Sequence, residues 1–414
     1  MNFLVRETPY IKIIKMNNKE FSSWPNFSKE EAKKVSEILL SNKVNYWTGD
    51  ECRTFEKEFA EYFDSQYAVA LANGTVAIDA ALMALEIKRG DEVIVTSRTF
   101  IASVSSIVNA GGIPVFADIC RNSQNFRSSE ILKLISKKTK GILCVHLAGW
   151  PCEMDRIMEI ARNNNLFVIE DCAQAHGAKY KGVSVGSIGD IGCWSFCQDK
   201  IMTTGGEGGM ITTNNKKLWK KVWEYKDHGK SYDAVFNKVH PQGFRWLHET
   251  FGTNWRMTEI QASIGRIQLR KMPNWTKTRN NNQNAIWTRC KDIQSLRVPE
   301  FNEKSWEFYN AGNVHAAYKC YLFVKDEEIK SGWSRDRIIQ EINSRGVPCY
   351  SGSCSEVYLE KAFKRGNLAP KNSLINAKEL GETSLMFLIH PSLQKKEIQK
   401  TCDVIEDVMK LASI

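Results

Sequence analysis

The chain is predicted to adopt an α/β fold, a mostly parallel sheet covered by helices on both faces and followed by a smaller α+β domain. Three observations predict it. The 414 residues suit one large domain plus a smaller one, because single hydrophobic cores stop growing near ~250–300 residues. Short apolar runs alternate with amphipathic stretches of helical length from Tyr67 onward, the pattern of a parallel sheet wrapped by crossover helices. After about residue 275 that alternation stops.

Taken in order, Tyr67–Leu71 reads as a strand, then Asn73-Gly74-Thr75 opens a helix that runs through Ile87. Glu92–Val95 is a strand, and Thr99–Ala110 a helix closed by Gly111-Gly112. Pro114–Ala117, Gly141–His146 and Leu166–Glu170 are β-rich, with helical spacing over Cys152–Asn164. Ile191–Phe196 and Met210–Thr213 read as two more strands around a glycine-rich link. Thr258–Lys271 begins a helical region. Beyond it a strand is expected at Tyr318–Val324 and helices at Ser334–Arg345 and Lys395–Leu411. The domains are therefore expected to be 1–274 and 275–414.

Apolar residues make up 43% and charged residues 25% of the chain, which is a soluble globular composition rather than a disordered one. The net charge of +10 is spread over scattered Lys and Arg, with short clusters such as Lys216-Lys217 and Lys220-Lys221. These read as a solvated helix face, and without a recognition motif they disfavour nucleic acid as a partner. No run approaches the ~20 apolar residues that span a bilayer, so no membrane insertion is expected. The twelve cysteines include no CxxC pair; they suit small core hydrophobes and no metal site. Free thiols and the absence of a continuous apolar run in Met1–Asn18 point to the cytoplasm.

In open parallel sheets, ligands collect outside the carboxyl ends of the strands. Asp171 follows the run Leu166–Glu170; such an acid can hold a metal, a ribose or a cationic ring nitrogen, or be structural. Gly74-Thr75 lies between a strand and a helix, where backbone N–H groups and the helix dipole favour phosphate. The same residues also make an ordinary N-cap. Lys200 follows Ser195-Phe196-Cys197-Gln198-Asp199 and precedes Gly205-Gly206-Glu207-Gly208-Gly209. Lysines are mostly surface charges, but one just beyond a buried strand can act as an amine nucleophile.

Several runs appear in a fixed order: Ala72-Asn73-Gly74-Thr75, Gly90–Val95, Thr99-Phe100-Ile101-Ala102, Val168–Asp171 with Ala173-Gln174, and Ser195-Phe196 with Lys200. Gly206-Glu207-Gly208-Gly209, Asn254-Trp255-Arg256-Met257 and His390-Pro391-Ser392-Leu393 complete the series. Together they resemble the DegT/DnrJ/EryC1/StrS family of sugar aminotransferases, from about Trp24 to the C-terminus. The resemblance implies the fold-type I (aspartate aminotransferase-like) architecture, with a mostly parallel seven-stranded sheet between helices and a smaller C-terminal α+β domain. It implies pyridoxal 5'-phosphate (PLP) as cofactor, with Lys200 holding it covalently through the ε-amine. Asp171 then matches the acid paired with the ring nitrogen, Gln174 the contact to the ring hydroxyl, and Phe100 the aromatic on the ring face. Gly74, Thr75 and Ser195 match the phosphate cup. Asn254 matches a residue reaching the phosphate from the neighbouring subunit of a homodimer with shared active sites.

The implied reaction moves an amino group from L-glutamate to a nucleotide-linked keto-sugar by ping-pong exchange, the freed Lys200 amine moving the proton. The implied acceptor is a 4-keto-6-deoxysugar on the way to O-antigen or other lipopolysaccharide sugars; the alternatives are a 3-keto sugar or a PLP-binding homologue without turnover. Arg256, Lys230 and Arg245 are candidates for the diphosphate, with internal salt bridges as the alternative for the last two. His228 matches a family position near the sugar, with a structural hydrogen bond as the alternative, whereas His146 reads as a satisfied core histidine. The Cys/Ser-rich segment 349–354 departs from the family pattern and bears on the acceptor. The stretch 232–251, with Trp246 and His248, reads either as a wall of the acceptor pocket or as a longer surface loop.

Overall fold

In this computed structural model the described residues are 21–239, 246–299 and 312–414. Seven strands form one sheet: β1 (Tyr67–Leu71), β2 (Glu92–Thr96), β3 (Ile113–Ala117), β4 (Thr139–Val145), β5 (Phe167–Asp171), β6 (Ile191–Ser195) and β7 (Gly209–Thr213). Their spatial order is β1-β7-β6-β5-β4-β2-β3. Only β7 runs against its neighbours, pairing antiparallel with both β1 and β6; the other pairings are parallel.

Burial of both faces explains why these strands read as continuous apolar runs. Val69 and Leu71 pack with helix Gly74–Ala84 in one cluster, whereas Ala68 and Ala70 join the opposite one. Val93 and Val95 likewise part from Ile94, the period-two alternation of a pleated strand. On the second face, Phe55 and Phe59 lie one helical turn apart on helix Glu51–Tyr62 and pack their rings against Phe196. Phe59 also meets Trp194 edge-on, an arrangement aromatic pairs prefer. This helix and Lys29–Ser41 both precede β1 in the chain.

Three expected bounds move for local reasons. The helix after Gly74 ends at Ala84, because Glu86 adopts a left-handed φ of 61°. The helix expected from Thr99 begins at Ala102, since Ser103 N and Val104 N bond three residues back, to Phe100 O at 3.2 Å and Ile101 O at 3.0 Å, leaving Thr99 outside the α pattern. Strand β5 extends one residue further than expected and ends on Asp171.

Helix Glu259–Cys290 links the two sheets. Thr258 and Gln261 close its N-terminus as a capping box. Arg266 pins it to the neighbouring helix through Glu51 at 2.6 Å and Glu58 at 2.7 Å. Ala262, Leu269 and Met272 lie in the large core, and Ile286 and Cys290 in the small one. The expected boundary at 274/275 thus falls inside one continuous helix. Pro273 also sits within it, a position that costs about 3 kcal/mol in an isolated helix; burial of side chains on both sides of it offsets that. The second sheet has order β8 (Leu296–Arg297), β9 (Cys320–Val324), β11 (Ser384–Phe387), β10 (Cys349–Tyr350), all antiparallel. All twelve cysteines are free. No described helix is long and apolar enough to cross a membrane.

Candidate active site

The six parallel strands deliver Leu71, Thr96, Ala117, Val145, Asp171 and Ser195 to one edge of the sheet. The register of β7 brings Gly209 opposite both Leu71 and Ser195, so the glycine-rich link opens at the same edge.

Asn73 caps helix Gly74–Ala84 by accepting from Val76 N at 3.0 Å. A Cβ on Gly74 would stand 2.5 Å from Ser195 Cβ, so only glycine lets the helix start lie against Ser195. Free N–H groups at that start, exposed Thr75 and the Ser195 hydroxyl form a cradle of donors suited to a phosphate. Gly74→Ala is expected to push the helix off Ser195 and weaken retention of a phosphate-bearing ligand by about tenfold, as equilibrium dialysis would read.

Asp171 is buried at the end of β5. Its Oδ2 accepts from Ser103 Oγ at 2.7 Å and its Oδ1 from Ala173 N at 3.0 Å. Burial pushes its carboxyl up, against the opposing pull of Ser103, Ala173 and the charge of Lys200. No ion pair to it occurs among the described residues, so a ring N–H⁺ would supply what the carboxylate lacks. Gln174 Oε1 accepts from Ala148 N at 2.8 Å, which fixes its amide beside Asp171. Phe100 is 67% exposed although apolar, leaving a ring face open to a flat ligand.

Lys200 sits in the loop after β6 with its side chain only 17% exposed. Its N–H donates to Cys197 O at 3.0 Å and its carbonyl accepts from Trp24 Nε1 at 2.8 Å. Its Nζ lies 3.4 Å from Asp199 Oδ1, and the Tyr318 hydroxyl donates to the other oxygen of that carboxylate. A buried acid, a half-buried amine, a phosphate cradle and an open aromatic face therefore share one edge. These residues fit PLP.

Asn254 is exposed and bridges to Asp227, while the Trp255 carbonyl accepts from Ala72 N at 2.9 Å. This segment lies against the end of β1, next to the cradle. Of the cations weighed for a diphosphate, Lys230 makes the internal salt bridge that was its alternative, and Arg256 shares the same acid. Arg256 Nη1 and Lys230 Nζ both meet Asp227 Oδ1, at 2.8 and 3.0 Å, and Trp47 Nε1 donates to its other oxygen at 2.8 Å. His228 is exposed with a left-handed φ of 62°. Arg245 lies outside the described residues.

His146 is satisfied, as its core reading implies. Its Nδ1 accepts from Cys152 N and its Nε2 meets Glu170, both at 3.0 Å. Its donor atom, those of Glu170 and of Cys172 lie within 4.8 Å of one another. Glu170, however, already accepts from Gly186, Ile188 and Gly189 N–H groups, which explains the cluster without a metal. Segment 349–354 reaches the site: Ser353 N donates to the Tyr321 hydroxyl at 3.0 Å and Cys354 O accepts from Thr99. In the 232–251 stretch, helix Tyr232–Phe236 is followed by strongly exposed Val239, Trp246 and Phe251.

Sequence reasoning missed Ser103, Trp24 and Tyr318. Ser103 carried a readable signal, one helical turn after Thr99 on the strand-end loop; the others arrive by long-range packing.

A model of the DegT/DnrJ/EryC1/StrS aminotransferase family matches residues 25–406. The chain is similar to the GDP-perosamine synthase of Escherichia coli O157:H7, 45% identical over 92% of this chain and 96% of that one. It is also similar to the dTDP-3-amino-3,6-dideoxy-alpha-D-galactopyranose transaminase of Aneurinibacillus thermoaerophilus, 38% identical over 92% and 95%. Among solved structures, an aminotransferase from Psychrobacter cryohalolentis superposes with a TM-score of 0.92 at 60% identity, covering 94% of this chain and 99% of that one.

Proposed function

The chain belongs to the DegT/DnrJ/EryC1/StrS aminotransferase family, and from that premise we propose that it aminates a nucleotide-linked 4-keto-6-deoxysugar with L-glutamate. It is a PLP-dependent sugar aminotransferase of fold type I. The observation that supports the assignment of roles is the meeting of Lys200, Asp171 and the Gly74–Ser195 cradle at one strand edge.

Bound PLP supplies an electron sink for the carbon whose proton is exchanged. Lys200 holds the cofactor and, once freed, its Nζ takes the donor's α-proton and later delivers one to the sugar carbon. Asp171 holds the ring nitrogen in its protonated form, and Ser103 orients that carboxylate. Gly74, Thr75 and Ser195 would bind the phosphate, Phe100 would supply an aromatic face to the ring, and Gln174 would contact the ring hydroxyl. His228 and Arg256 border the acceptor side, Arg256 through the strut it forms with Asp227.

A 4-keto acceptor draws support from the GDP-perosamine synthase likeness and from several relatives of that name. The 3-amino product in the name of the A. thermoaerophilus relative favours a 3-keto sugar as second reading. Incubating the enzyme and glutamate with nucleotide-linked 4-keto and 3-keto sugars is expected to give an amino sugar from the 4-keto set, read by mass spectrometry. Turnover of 3-keto sugars alone would overturn that choice.

The product would serve O-antigen or another surface polysaccharide, made in the cytoplasm, and the domains divide near 274/275. The working form would be a homodimer in which exposed Asn254 completes the partner's phosphate cup. Mixing Lys200→Ala with Asn254→Ala chains is then expected to restore activity that neither variant has alone, since one site of the hybrid is intact. Failure of mixed dimers to recover turnover would refute sharing.

A further inference from the structure

The amine of Lys200 stands in a surplus of positive charge. Lys200 Nζ lies 5.3 Å from the centre of the Tyr318 ring, and Lys319 Nζ lies 4.8 Å from the same centre. Behind them Arg279 is buried in the long helix, directing Nη1 to Tyr318 O at 3.4 Å and lying over the Trp24 ring. Against these three cations stands Asp199, whose two oxygens are taken by Lys200 and by the Tyr318 hydroxyl.

Neither Lys319 nor Arg279 makes an ion pair among the described residues. The Nε and Nη2 atoms of Arg279 are buried without any hydrogen-bond partner. Burial pushes Lys319 down to about 8 and Arg279 down to about 9. His390, stacked on Trp24, is pushed down to about 3 by burial and by these same two cations. A buried cation without its counter-charge is costly, and an arriving anion removes that cost.

We propose that Lys319, with Arg279 behind it, anchors a carboxylate of the amino donor beside Lys200. The inference rests on the aminotransferase reading above and adds to it the seat of the donor. The class of anion follows from the reaction. The donor's α-carboxylate is one bond from the carbon whose proton Lys200 takes, so its anchor must stand close to that amine. A sugar nucleotide's diphosphate is held away from its reacting carbonyl by the pyranose ring. Lys319 is half-buried and Asp199 is 57% exposed at its side chain, so a small anion can enter from solvent.

The test is calorimetric binding of glutarate, a five-carbon dicarboxylate without an amine, to the cofactor-loaded enzyme. Lys319→Gln is expected to weaken glutarate by about tenfold or more, and Lys319→Met, a second neutral variant, to do the same. Lys319→Arg is expected to remain within about threefold. The groups facing Lys319 are Asp199, Lys200, Arg279, Tyr318 and His390, and its charged form is the one that binds. Wild-type affinity should therefore fall as pH rises through about 8, while Lys319→Arg should keep its affinity to a higher pH than wild type, since a guanidinium gives up its proton later than an ammonium. A merely structural lysine would not shift that profile. Glutarate affinity within twofold of wild type in both neutral variants would overturn the proposal, as would loss of nucleoside diphosphate binding in its place. Should glutarate fail to bind while glutamate still converts the cofactor, the anchor is wrong and the aminotransferase reading stands. Should no amino acid convert the cofactor, the reading itself fails.

Discussion

Replacing Lys200 with alanine is expected to lower turnover on the order of 10⁴-fold and to abolish the visible absorption band that borohydride bleaches in the wild-type protein. Both effects have one cause. In the proposed mechanism Lys200 both holds the cofactor covalently and moves the exchanging proton, and no second amine of the described structure lies on Asp199 as Lys200 does, at 3.4 Å. Lys200→Arg separates charge from nucleophilicity, because it keeps the cation and lacks the reactive amine. It should be as inactive as the alanine variant. If either protein kept more than about a hundredth of wild-type turnover, Lys200 would not be the residue that carries the chemistry.

Asp171→Asn is expected to lower turnover by about 10²–10³-fold while making the cofactor-free protein more stable. The two signs come from one carboxylate. Burial pushes the Asp171 carboxyl up, so the folded state binds its proton more tightly than the unfolded chain does. Stability from this group is present below the unfolded value near ~3.9 and is lost as pH rises through the raised folded value. Above that folded value the cofactor-free protein carries an ionised acid without an ion-pair partner, and asparagine removes that penalty. In the proposed mechanism the same ion would pair with the ring nitrogen of the loaded enzyme, and its loss would weaken the electron sink. Thermal melts with and without cofactor, paired with turnover, would read both. A cofactor-free variant less stable than wild type would show that Ser103 and Ala173 already compensate the charge.

Much of the large sheet was legible because burial on both faces leaves an apolar run whatever lies beside it. Val93–Val95 and Val168–Ile169 could be little else. The direction of β7 was not legible, since Met210–Thr213 buries the same side chains whether it runs with or against Ser195. At the site, Lys200 and Asp171 stood out through their places after buried strands. Tyr318 did not, because it meets Asp199 across 119 positions of sequence. An internal salt bridge was an open reading for Lys230, but its partner was not legible, and only the fold puts Asp227 against both Lys230 and Arg256.

The hydrogen bond from Thr99 N to Cys354 O joins the loop bearing Phe100 to the segment expected to face the sugar. Insertions or bulky replacements near Cys354 would tug on the aromatic lid through that peptide link. Variants selected for a new sugar by altering this strip should therefore arrive with loosened coenzyme, and the strip's flanks will need re-tightening before a changed preference becomes a usable catalyst.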